Sequence, residues 1–113
     1  NNGLILHCRL RYFDPAERRA GVPEGVAALI GRMTDDEVVV TLVNTNQLDS
    51  RTVVVQAGGY AEHQFISIAN GGSKAEINAS RFSVRLAPGS GSRLTLKMKR
   101  YVNQPTMTFP WDR

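Results

Sequence analysis

The sequence predicts an all-β chain, an antiparallel β-sandwich of about seven strands with one short helical turn in the connection over residues 14–35. Three observations carry this. Apolar and polar residues alternate with a period of two in segment after segment, as strands buried on one face require. Clusters of Asn, Gly and Pro separate those segments at roughly regular spacing. Helical spacing is confined to one short stretch. Short strands in that rhythm close most simply as two packed sheets, although a barrel of similar strand count fits the same pattern.

The elements follow in order. Leu4, Leu6, Cys8, Leu10 and Tyr12 share one parity, and His7, Arg9 and Arg11 share the other, giving a strand with an apolar side and a cationic side. Asp14-Pro15 ends it, because proline cannot donate to a ladder and holds its predecessor out of helical geometry. Pro23 can open a helix, and Val26, Ala27, Leu29 and Ile30 fit one to two turns that Gly31 would stop. Val38, Val40 and Leu42 alternate with Val39, Thr41 and Val43, so both faces are apolar and the strand is expected to be central. Asn44-Thr45-Asn46-Gln47 is a turn whose side chains can mimic backbone hydrogen bonds. The β-branched run from Thr52 to Gln56 reads as a strand, Gly58-Gly59 as a two-residue hairpin loop, and Tyr60 to Ile68 as its return. Asn70-Gly71-Gly72 turns the chain into a short strand near 75–78. Phe82, Val84 and Leu86 form the next strand, and Pro88-Gly89-Ser90-Gly91 leads into Leu94, Leu96 and Met98.

Composition bounds the function. At 113 residues, 42% hydrophobic and 21% charged, the chain suits one globular domain rather than a disordered one. No apolar run approaches the roughly 18 residues of a membrane-spanning helix, so no membrane insertion is expected. The one cysteine, Cys8, rules out an intrachain disulfide framework. No signal-peptide pattern is present. The chain starts at Asn1-Asn2 and enters a strand pattern at once, so residues 1–113 are expected to be a single domain cut from the C-terminal end of a longer polypeptide.

Two stretches share a family likeness. Val38-Val39-Val40-Thr41-Leu42-Val43-Asn44-Thr45-Asn46 followed by Arg51-Thr52-Val53-Val54-Val55 is one; Phe82-Ser83-Val84-Arg85-Leu86-Ala87-Pro88-Gly89-Ser90 followed by Leu94-Thr95-Leu96 is the other. Over about residues 36–100 they resemble the small C-terminal β-sandwich domains that follow the catalytic barrels of many glycoside hydrolases, with Ala87 at the first proline of the closing hairpin. The resemblance implies an accessory domain without catalytic residues, in a secreted or periplasmic protein, and carries over no site residue.

The residues themselves offer little chemistry. His7-Cys8 and Glu62-His63 are adjacent pairs that strand geometry splits onto opposite faces, and no paired Cys spacing accompanies them, so neither a metal nor a cofactor is expected. Gly89-Ser90-Gly91-Ser92 follows a proline turn and lacks the strand-to-helix setting of a nucleophile elbow or phosphate loop. Asp35-Asp36-Glu37 reads as a solvated run guarding a strand start. Catalysis within the chain is not expected.

Two features remain as ligand or interface candidates. Residues 81–113 hold seven cationic side chains against Asp112, and Arg93, Lys97 and Lys99 share one parity, a cationic row suited to phosphates or an acidic polysaccharide. The interleaved aromatics and helix of a nucleic-acid module are missing, so nucleic acid is an unfavoured partner. Tyr101, Phe109 and Trp111 crowd the end between Pro105 and Pro110; they suit either a glycan platform or, more naturally, an apolar tail lying in a groove. The leading expectation is a non-catalytic accessory domain of a larger, carbohydrate-active protein, and the alternative is a carbohydrate-binding module using the basic strand or the terminal aromatics. Expected partners are the rest of the parent polypeptide, a glycan, or a second copy through apolar surface at 26–30, Val39, Val43 and 109–111.

Overall fold

Nine strands follow one another along the described residues, 10–34 and 36–112, of a computed structural model. They are β1 (Leu10–Asp14), β2 (Arg19–Ala20), β3 (Val26–Met33), β4 (Glu37–Asn44), β5 (Arg51–Ala57), β6 (Gln64–Asn70), β7 (Ser73–Ala79), β8 (Arg81–Leu86) and β9 (Gly91–Lys99). Two sheets result, a four-stranded one in the order β2-β1-β5-β8 and a five-stranded one in the order β3-β4-β9-β6-β7. Every pairing is antiparallel. The sheets pack over one core, the arrangement of a β-sandwich.

Alternation explains the core residue by residue. Val53, Val55, Ala57, Leu10 and Leu86 from the smaller sheet meet Val38, Val40, Leu42, Phe65, Leu94, Leu96 and Met98 from the larger one. Each fully buried side chain of this kind stabilises the fold by about 1.5–3 kcal/mol relative to exposure. Phe82 and Val84 lie at the margin of the cluster, half-buried. Leu4, Leu6 and Cys8, expected on the same face, lie outside the described residues. As its two apolar parities require, β4 is an interior strand between β3 and β9, and Val39 on its second face is buried too.

Two sequence expectations are corrected. Residues 26–30 are not a helical turn but the first part of β3, paired with β4 from Val26↔Asn44 to Met33↔Val38. A five-residue helix cannot repay its nucleation, whereas the β4 backbone supplies a ladder partner along the whole stretch. Gly31 does not stop a helix; it sits where the register with β4 shifts between Ile30 and Arg32. Likewise Gly58-Gly59 does not close a hairpin. The chain crosses there from β5 in one sheet to β6 in the other, and β6 pairs with β7 and β9. With β2 also present, the strand count rises from about seven to nine.

At the predicted turn over residues 44–47 the chain is anchored by Asn44, the one buried residue of the four. The Asn44 amide donates to the carbonyls of Asp49 (2.9 Å), Leu86 (3.2 Å) and Ala87 (3.3 Å), and its oxygen accepts the Asn46 N–H at 3.0 Å. One side chain thereby ties the end of β4 to the end of β8.

Candidate functional site

The six candidate residues are not one site. Arg93, Lys97 and Lys99 stand exposed in a row along β9, on the outer face of the five-stranded sheet. Their cross-strand neighbours temper the charge: Lys97 lies opposite Glu37 of β4 and Ser67 of β6, and Ser67 in turn lies opposite Glu76 of β7. Arg93 faces Thr41, and Lys99 faces Gln64. This is a mixed polar face with a cationic stripe.

Phe109 and Trp111 lie elsewhere, on the outer face of the four-stranded sheet. Beyond β9 the chain turns at Tyr101, which adopts a left-handed φ of 58°, and runs back over that face. The loop between β5 and β6 grips it. Tyr101 N–H donates to His63 Nδ1 (3.1 Å), Asn103 N–H to the Glu62 carbonyl (3.2 Å), and Thr106 N–H to the Tyr60 carbonyl (2.7 Å). The Asn103 amide also donates to the carbonyls of Ala61 and His63. His63 is fully buried, and accepting at Nδ1 places its neutral-form proton on Nε2, which faces the Glu62 carboxylate at 3.8 Å. The loop itself needs Gly58, whose φ is +90° and whose missing Cβ leaves room for the Glu62 carboxylate.

Under the tail sits Phe13, with no exposure to solvent although it points away from the main core. Its ring centre lies 5.6 Å from that of Phe109 and 6.1 Å from that of Trp111, and the last two are 5.3 Å apart in edge contact. The Arg11 guanidinium lies 4.9 Å from the Phe13 ring centre, and that of Arg81 5.9 Å. Arg81 also bridges sheet and tail, donating to Gln56 Oε1 at 2.7 Å and to the Thr108 carbonyl at 2.6 Å. Burial lowers its pKa, the nearby Asp112 carboxylate raises it, and Arg11 lowers it again. These contacts pack the rings of Phe109 and Trp111 against the sheet, whereas Tyr101 is 58% exposed and meets the His63 ring edge-on at 4.7 Å between centres.

A charged cleft, with no signature in the sequence, lies at one end of the four-stranded sheet, where β1, β5 and β8 meet the connection after β1. Its volume is about 640 Å³, and Asp14, Glu17, Arg19, Glu24, Arg51 and Arg85 are among its lining residues. One ion pair lies within it: the buried Asp14 carboxylate is 3.6 Å from Arg19, and it also accepts the Glu17 N–H. The residues come from four separate segments, so no local motif announces them. Among the described residues no group of three His, Cys, Asp or Glu side chains could hold a metal ion, and no helix is long and apolar enough to cross a membrane. No protein-family model, curated protein or solved structure matches this chain.

Proposed function

We propose that the chain is a non-catalytic accessory domain, a structural β-sandwich at the C-terminal end of a larger, carbohydrate-active protein. The observation that supports this best is the ring cluster of Phe13, Phe109 and Trp111. Of the three aromatics that would serve as a sugar platform, Phe109 and Trp111 are half-buried against the sheet, on a tail that Arg81 holds, and their work is to close the domain, while Tyr101 is exposed. The cationic stripe of Arg93, Lys97 and Lys99 favours the second reading, a module that holds an acidic glycan on the five-stranded sheet.

A glycan array probed with the 113-residue chain separates the two. The accessory-domain reading expects no specific retention, and Trp111→Ala to lower thermal stability. Specific retention lost on Lys97→Ala or Trp111→Ala, with the melting temperature unchanged, transfers the assignment to the binding module.

A further inference from the structure

The chain carries two pairs of adjacent basic residues, Arg18-Arg19 and Lys99-Arg100. Such pairs are what one class of endopeptidases recognises, and the fold sets the two in opposite surroundings. An endopeptidase takes its substrate extended, so a folded chain is cut where several residues on each side of the bond can leave the body at low cost. Arg18-Arg19 stands in such a segment. Residues 16–21 are all exposed, and the hydrophobic core among the described residues takes no side chain from them. β2 is two residues long, paired through Phe13↔Ala20 and Asp14↔Arg19, and the Gly21 N–H donates to the Tyr12 carbonyl at 2.8 Å. The Arg19 side chain is 52% exposed and lies 3.6 Å from the Asp14 carboxylate, too far for a hydrogen bond. Arg18 holds a left-handed φ of 51°, a conformation costly for a residue with a Cβ, and opening the turn relieves it.

Lys99-Arg100 has the same chemistry in a different setting. Lys99 ends β9, the central strand of the five-stranded sheet, opposite Gln64 and next to the buried Met98. Arg100 is half-buried. Just beyond it the Tyr101 N–H donates to His63 Nδ1 and the Asn103 N–H to the Glu62 carbonyl. Extending this stretch would draw Met98 out of the core and unseat the tail.

We propose that Arg18-Arg19 is a processing site for an endopeptidase specific for paired basic residues, which cuts after Arg19 and leaves a two-chain domain that stays assembled. Water hydrolyses the Arg19–Ala20 peptide bond: its hydroxyl goes to the Arg19 carbonyl carbon and its proton to the Ala20 nitrogen. The contacts that hold the pieces together lie away from the cut. β1 keeps its ladder with β5 from Leu10↔Ala57 to Phe13↔Val54, and Phe13 keeps its place against Phe109 and Trp111. Cleavage thus frees a new amino terminus at Ala20 and loosens β2, while the first chain remains seated as β1. The proposal stands on this turn and does not depend on the accessory-domain assignment.

The test is limited proteolysis of the native 113-residue chain with an endopeptidase specific for paired basic residues, the fragments being identified by mass spectrometry. Cleavage after Arg19 is expected first, about ten-fold or more ahead of any cut at Lys99-Arg100. Synthetic peptides spanning residues 13–24 and 95–106 remove the fold and should lose that preference. The fragments 1–19 and 20–113 should co-elute on size exclusion and separate only in urea. Arg19→Gln should abolish the cut and leave the melting temperature unchanged. A native chain that resists cleavage after Arg19 under conditions that cut the 13–24 peptide overturns the proposal, as does a first cut at Lys99-Arg100. So does a rate after Arg19 that rises with urea in step with global unfolding, or a pair of fragments that separate without urea.

Discussion

Replacing Phe13 by Ala probes the closure of the four-stranded sheet most sharply. Phe13 lies on the outer face of its sheet, where an ordinary sandwich residue is wet, yet its ring is wholly buried by the chain's own tail. Truncating a buried Phe to Ala costs about 3–5 kcal/mol. The edge-on rings of Phe109 and Trp111 and the guanidinium of Arg11 each lose a partner, which places this site within rather than below that range. For a domain of this size each kcal/mol moves the melting temperature by about 4 °C, so a fall of roughly 12–20 °C is expected. Urea unfolding should show the same loss with little change in slope. Leu48→Ala is the control: Leu48 is 87% exposed, and its truncation should stay within about 0.5 kcal/mol. A double-mutant cycle with Trp111→Ala should return a coupling of about 0.5–1.5 kcal/mol. A Phe13→Ala cost below about 1 kcal/mol, or strict additivity with Trp111→Ala, would refute the packing described.

Burial pushes the Tyr12 phenol up from 10.0 to about 12. The folded state holds it neutral, so its contribution is fully present below pH 10 and is lost as pH rises toward 12 and beyond. Urea midpoints measured across that window should fall, and Tyr12→Phe should flatten the decline; an unchanged decline in the variant assigns the alkaline loss elsewhere. Asn44→Ala strands the carbonyls of Asp49, Leu86 and Ala87 and should cost about 1–3 kcal/mol in equilibrium unfolding. A loss under about 0.5 kcal/mol would mean that the junction is not held by this amide. Gly58→Ala combines a left-handed φ with a Cβ driven onto the Glu62 carboxylate, and should cost about 1–3 kcal/mol while loosening the tail, visible as faster amide exchange at Tyr101, Asn103 and Thr106.

Strands that alternate against a single core were legible in the sequence. Leu94, Leu96 and Met98 could face one way only if the intervening Thr95 and Lys97 faced the other, and they do. The stretch Val26-Ala27-Ala28-Leu29-Ile30 was not legible, because five apolar residues satisfy a helix stripe and a strand equally. Its partner, β4, is what decides between them. Gly58-Gly59 misled for a related reason. A glycine pair reports permissive backbone, not whether the chain turns back within a sheet or crosses to the next one. The terminal aromatics were readable as an anchor, but not the groove they fill. Phe13 has the parity of Arg11 and belongs with the exposed side until the tail covers it. The charged cleft drew on distant segments that only the folded topology brings together.

Trp111 is the only tryptophan in the chain, so its fluorescence reports on the tail alone, while far-UV circular dichroism reports on the strands. Following both through one urea titration tests the central claim that the tail is an integral wall of the sandwich. The native emission should be blue-shifted and should move to the red at the same midpoint, and with the same slope, as the loss of strand signal. A water-exposed emission in the native protein, or a fluorescence transition at clearly lower urea than the dichroism transition, would contradict it.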